Sequence, residues 1–136
     1  MSMLFDLSGK VALLTGASKG LGLANSIELL EWLNAALHRK DLAASERAGA
    51  AQGLSEVVST HGDNFFSNQC KEIISLARSQ EVRLRESYRT VMAYLPTSFN
   101  HFVNYLKVLL PIMIEGLGDE SEEVRKVSLR NVKICI

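Results

Sequence analysis

Apolar residues recur along most of the chain at spacings of three and four. Ile27, Leu30, Leu33 and Leu37 form one stripe, Phe66, Cys70, Ile73, Ile74 and Ala77 a second, and Phe102, Tyr105, Leu109, Ile112, Met113 and Leu117 a third. Residues three and four apart share a face of an α-helix, so each stripe predicts a helix with one buried side. The segments that follow the stripes share a pattern of their own. Arg47, Arg85 and Arg125 fall at intervals of 38 and 40. Counting from these arginines, Ala50, Tyr88 and Ser128 come three later, Leu54, Met92 and Val132 seven later, and Val57, Leu95 and Cys135 ten later. Those offsets lie on one helix face. Each unit therefore reads as a helical hairpin, and the chain as six antiparallel helices in three stacked hairpins.

The boundaries follow from turn chemistry. Asn25 with Glu28 three residues on reads as a capping box that starts the first helix at Ser26. Asp41, Ser79 and Asp119 stand six residues before the aligned arginines and are good N-cap types for the second helices. Breaks are expected at His61-Gly62, at Pro96, and at Gly116 and Gly118. Pro111 falls inside the first helix of the third unit, where a proline costs about 3 kcal/mol and bends the helix. The units are thus expected at residues 25–62, 63–96 and 97–136, behind a separate segment 1–24. The final "VKICI" lies on an apolar helix face with no polar capping repeat after it, which points to truncation of a longer stack. Val132, Ile134 and Ile136 should be partly uncovered, so self-association through uncapped ends is expected.

A period of about 40 residues with paired helices points to HEAT or armadillo repeats. The third unit, "LKVLLPIMIEGLGDESEEVRKVSLRNV", resembles the HEAT consensus through Pro111, Asp119, Val124 and Arg125. The stretches "ERAGAAQGLSEVV", "RESYRTVMAYLPTSF" and "PIMIEGLGDESEEVRKVSLR" resemble consecutive HEAT units of the very large general-control translational activator family, over roughly Ser26 to Ile136. That resemblance implies an α-solenoid scaffold without catalytic residues. It also implies a cytoplasmic setting, protein partners and the ribosome, and a role in activating the kinase of initiation factor two alpha during amino-acid starvation. The family's dedicated kinase-binding segment has no recognisable counterpart here.

The opening of the chain follows another logic. Val11 to Leu14 is a short apolar run suited to a buried strand, and Thr15-Gly16-Ala17-Ser18-Lys19-Gly20-Leu21-Gly22 follows as T-G-x-x-x-G-x-G. Such glycines let a backbone approach a pyrophosphate held at a helix N-terminus. Residues 8–24, "SGKVALLTGASKGLGLA", resemble the first strand and turn of short-chain dehydrogenases/reductases, and Gly16, Ser18, Gly20 and Gly22 are the candidate NAD(P) contacts that resemblance implies. A working site needs a second parallel strand and a ribose-reading residue about 20 positions on. The sequence there is "HRKDLAASER", and the family's Tyr-x-x-x-Lys is missing after Tyr88, Tyr94 and Tyr105. No bound cofactor and no enzymatic activity are therefore expected. Two alternatives stand beside the scaffold reading: a remnant NAD(P)-binding reductase, and a chimera without native function.

Composition narrows the partners. Fifteen basic and fifteen acidic side chains among 136 residues leave no net charge, so any electrostatic partner must see a local patch. Lys126, Arg130 and Lys133 share one face of the last helix and form such a patch, suited to phosphates or an acidic protein. Arg78, Arg83, Arg85 and Arg89 form a second cluster, from which Arg83 and Arg89 are further interaction candidates. Arg47, Arg85 and Arg125 themselves are expected to bond acids and loop carbonyls within the stack, alongside the repeat positions Asp41, Pro111 and Asp119. Cys70 and Cys135 belong to no C-x-x-C pair, and His38, His61 and His101 lack ligand spacing, so neither a disulfide framework nor a metal site is expected. No run is long enough to span a membrane.

Overall fold

A computed structural model describes residues 23–60, 62–98 and 102–135. The dehydrogenase-like segment, with Val11 to Leu14 and Gly16 to Gly22, lies outside the described residues, as do His61, His101 and Ile136.

The first apolar stripe becomes helix α1, Leu23–His38. It buries Leu30, Leu33, Ala36 and Leu37 and leaves Ile27 40% exposed. It begins three residues before Ser26, which places Asn25 inside the first turn rather than at its cap. Leu23 and Ala24 are strong helix formers, and they extend the helix backwards through the expected boundary. Helix α2, Ala44–Val58, carries small residues on its buried face: Gly49, Ala50, Ala51 and Gly53, beside Leu54, Val57 and Val58. Small side chains let α2 sit between close neighbours. Its N-cap is Ala43, whose N–H donates to the Glu46 carboxylate at 3.3 Å.

Gly62, with φ of +86°, opens helix α3, Gly62–Ala77, in a backbone region that other residues rarely adopt. Helix α3 buries Phe66, Cys70, Ile73 and Ala77. Helix α4, Val82–Ser98, runs two residues past Pro96, so the expected break at that proline does not occur. Pro96 sits in the final turn, where its ring forfeits one hydrogen bond to Met92 and no later turn has to continue. A 3-10 turn at Phe102–Tyr105 leads into helix α5, Leu106–Glu115, which contains Pro111. A second 3-10 turn at Gly116–Gly118 separates it from helix α6, Glu122–Cys135.

The caps of the second helices fall two residues later than expected, so the helices begin at Ala44, Val82 and Glu122. The Asp119 carboxylate accepts the Ser121 N–H at 2.8 Å, and the Ser79 hydroxyl accepts the Glu81 N–H at 3.1 Å. Short polar side chains that bond two residues on form a turn of their own, and that turn displaces the helix start. At α6 the cap is then Ser121, whose hydroxyl faces the Val124 N–H at 3.4 Å.

The second helices α2, α4 and α6 stack side by side, and each first helix packs against its own second helix. The fold is an all-α solenoid of three hairpins, with no strand among the described residues. The aligned face forms its interior: Ala50, Tyr88, Ser128, Leu54, Met92, Val57 and Leu95 are each 0–1% exposed. Val132 and Cys135, at the far end, are only partly covered, and Ile134 is 45% exposed. Helix α4 is the centre of the stack, with Tyr88, Val91, Met92 and Leu95 all at 0% exposure. Burial of each large apolar side chain of this kind contributes about 1.5–3 kcal/mol.

Candidate interaction surface

The units are tied to one another by arginines. The Arg85 Nε and Nη2 atoms donate to the two Asp119 oxygens at 2.9 and 3.1 Å, and its Nη1 donates to the Ser79 and Gln80 carbonyls at 3.0 Å each. One guanidinium thus closes the loop of the second hairpin and clamps the loop of the third, with both side chains little exposed. Burial pushes the Asp119 carboxyl up, but the Ser121 N–H and the Arg85 guanidinium outweigh it and hold it below the usual carboxylate range. Arg125 donates to the Asp119 carbonyl at 2.7 Å. The second unit has Ser79 where the third has Asp119, so Arg47 lacks that carboxylate and reaches Glu86 instead, at 3.5 Å. Asp41 pairs with the neighbouring Arg39 at 2.9 Å on the surface, where such pairs contribute little.

The second basic cluster is not an open patch. Arg89 is 2% exposed, which removes it from the interaction candidates. Its Nη1 donates to the Ile112 carbonyl at 2.5 Å near the end of α5, and its own carbonyl accepts from Asn131 of α6 at 3.0 Å. Burial lowers the Arg89 pKa, against the pull of Glu115 and Asp119, while Arg85 and Arg78 lower it further. Arg83 is half-buried and donates to the Arg39 carbonyl at 3.2 Å. Arg78 makes a two-pronged pair with Glu115 at 3.0 Å. All four arginines of this cluster thus serve joints inside or between hairpins. The alignment itself carries the missed signal, because Arg89 stands in the column of Ala51 and Leu129.

The last helix keeps cations in the open. Lys126 pairs with Glu122 at 3.0 Å with both groups exposed, while Arg130 and Lys133 are exposed and have no acidic partner among the described residues. Lys126 and Arg130 overlook a groove of about 260 Å³ that crosses all three second helices, with Arg47, Glu86, Thr90 and Glu123 along it. A neighbouring hollow of about 390 Å³ on α6 is lined by Lys126, Leu129, Arg130, Lys133 and Ile134. A third, of about 440 Å³, follows the 3-10 turn and α5 along Val103, Leu106, Lys107, Leu110, Pro111 and Ile114.

The remaining chemistry-bearing groups are engaged in packing. Burial pushes the Cys70 thiol up to about 11, and burial also raises Cys135, so neither is an activated nucleophile. The Tyr88 hydroxyl donates to Asn34 at 2.5 Å, and burial followed by the Glu72 charge raises its pKa. His38 meets the Tyr88 ring edge-on at 5.9 Å. Trp32 packs against the core. Among the described residues no group of His, Cys, Asp and Glu could hold a metal ion, and no helix is long and apolar enough to cross a membrane.

Known proteins carry a similar stretch of sequence. The chain is 38% identical over 112 residues to Protein ILITYHIA of Arabidopsis thaliana and 34% identical over 113 residues to the eIF-2-alpha kinase activator GCN1 of Dictyostelium discoideum. It is 33% identical over 115 residues to the stalled ribosome sensor GCN1 of Homo sapiens. The chain is similar to a segment of GCN1. Each match covers 82% of this chain and 4% of the relative, so the similarity concerns one short piece of a very long protein. No family model matches the chain, and neither does any solved structure.

Proposed function

We propose that the chain is a non-catalytic HEAT-repeat scaffold segment of a GCN1-type translational activator. In this reading residues 25–62, 63–96 and 97–136 are consecutive HEAT units, and residues 1–24 stand apart from them. The segment acts in the cytoplasm by presenting the ridge of α2, α4 and α6 to the ribosome or to its protein partners, and so favours activation of the kinase of initiation factor two alpha. The observation that carries the reading is the similarity to proteins named as kinase activator and stalled ribosome sensor, over 82% of this chain. The geometry supports it, since the arginines inside the stack serve packing while Lys126, paired with Glu122 on the surface, and Arg130 are exposed and line the groove over the second helices. A binding role needs such a rigid ridge with charge at its surface, and the clamps at Asp119 and Arg89 supply the rigidity.

The test is co-sedimentation of the purified chain with ribosomes through sucrose at low salt, beside the variant Lys126→Glu/Arg130→Glu. The wild-type chain should travel with the ribosome and the variant should not, while both give the same helical circular dichroism. A folded wild-type chain that stays at the top of the gradient contradicts ribosome binding by this segment.

A further inference from the structure

The groove over the second helices has the chemistry of a polypeptide site rather than of a nucleic-acid site. It lies across α2, α4 and α6, so helices of this chain bound it on both sides. Equivalent repeat positions line it: Ala48, Glu86 and Lys126 stand in one column, and Thr90 and Arg130 in the next. Ala44 and Ala48 of α2, with Val127 of α6, supply its apolar surface, and both signs of charge surround them. Glu86 pairs with Arg47 at 3.5 Å, and Glu123 accepts the Ser121 hydroxyl at 3.2 Å. Arg130 has no acidic partner among the described residues. The Thr90 hydroxyl donates to the Glu86 carbonyl at 2.8 Å, so toward a ligand it can only accept.

The groove thus asks for donors at Glu86, Thr90 and Glu123 and for acceptors at Arg47, Lys126 and Arg130. Phosphate groups offer acceptors alone, with a charge that Glu86 and Glu123 repel, and no aromatic ring is present to stack a base. An extended peptide meets both demands. Its N–H groups donate, its carbonyls and carboxylates accept, and an apolar side chain fits the surface of Ala44, Ala48 and Val127. We propose that the groove holds an extended segment of a partner protein, with a carboxylate against Arg130, an apolar side chain between Ala48 and Val127, and backbone N–H groups toward Thr90 and Glu123. This rests on the reading of the ridge as the partner-binding surface and deepens it: on the ribosome, the groove contacts a protein and not ribosomal RNA.

The experiment places the photo-crosslinker p-benzoylphenylalanine at Gln52 of the full chain, exposed one turn past Ala48 on α2, and irradiates the chain on purified ribosomes at low salt. The same group at Lys107, exposed on α5 away from the groove, is the control. The Gln52 adduct should survive ribonuclease, and mass spectrometry should map it to a ribosomal-protein segment that carries Asp or Glu; the Lys107 chain should not form it. Ala48→Leu, which fills the apolar surface without changing charge, and Arg130→Glu should each abolish that adduct, with circular dichroism establishing that both variants are folded. Glu123→Gln removes a charge that phosphates would oppose, so a chain held by RNA would then stay on the ribosome to higher salt, whereas a chain held by a peptide should not. A ribonuclease-sensitive adduct, an adduct indifferent to Ala48→Leu and Arg130→Glu, or a gain in salt resistance with Glu123→Gln overturns the proposal while ribosome binding stands. A folded wild-type chain that does not sediment with ribosomes contradicts ribosome binding itself, and the proposal falls with it.

Discussion

Gly116 ends α5 in an ordinary helical conformation, with φ of −68°, so nothing in its backbone requires a glycine. What requires it is the approach of α6 and α4. A Cβ at this position would lie 2.0 Å from the Ser128 hydroxyl and 2.9 Å from the Ser128 Cβ. It would also lie 2.5 Å from Arg89 Nη1, the donor to the Ile112 carbonyl. Gly116→Ala therefore forces α6 outward or displaces a buried guanidinium. Overpacking of this kind costs about 1–3 kcal/mol. Losing the charged hydrogen bond of Arg89 adds about 1.5–3 kcal/mol. The helical preference of alanine over glycine returns about 1 kcal/mol at most. The net expectation is a loss of about 2–5 kcal/mol, read as a lower urea midpoint at unchanged slope. Gly118→Ala is the internal control: no atom lies within 4 Å of its Cβ position, so that variant should keep its stability or gain slightly. A Gly116→Ala variant that unfolds within about 0.5 kcal/mol of wild type, the usual span for a surface change, would show that α6 and α4 do not close on this position.

Other outcomes follow from the same joints. Asp119 has a folded pKa below its unfolded one, so its contribution is fully present above the unfolded value and is lost as pH falls through the folded one; Asp119→Asn should flatten the acid limb of a stability-versus-pH curve. Arg89→Ala should cost about 2–5 kcal/mol through the cavity it leaves, whereas Arg89→Met, which fills the space and gives up the bond to the Ile112 carbonyl, should cost measurably less, both read by urea unfolding. Tyr88→Phe removes the donor to Asn34 and should lower stability by about 1 kcal/mol in the same assay.

The helical architecture was legible because it rests on periodicity. The arginine register placed Ala50, Tyr88, Ser128, Leu54, Met92, Val57 and Leu95 on one face, and that face is the interior. Boundaries were less legible, since they depend on competition between local bonds. Asp119 and Ser79 look like caps by type yet use their side chains to make the preceding turn. Pro96 looks like a stop yet sits where only one hydrogen bond remains to be lost. Surface chemistry was the hardest to read. Arg89 has the composition of an exposed patch, but the third hairpin closes over it and the Ile112 carbonyl takes its donor, a contact 23 residues away that no local pattern records. Conversely, Leu129 is 47% exposed although it stands in the column of the buried Ala51 and Arg89.

Three hairpins stack in one register, and two ring pairs report it directly. Phe66 of α3 meets Tyr105, just before α5, with centroids 4.7 Å apart, and His38 of α1 meets Tyr88 of α4 at 5.9 Å. Nuclear Overhauser spectroscopy on protein with labelled aromatic rings should show cross-peaks for both pairs, one across each junction between hairpins. A helical, folded chain that lacks both cross-peaks would contradict the stack.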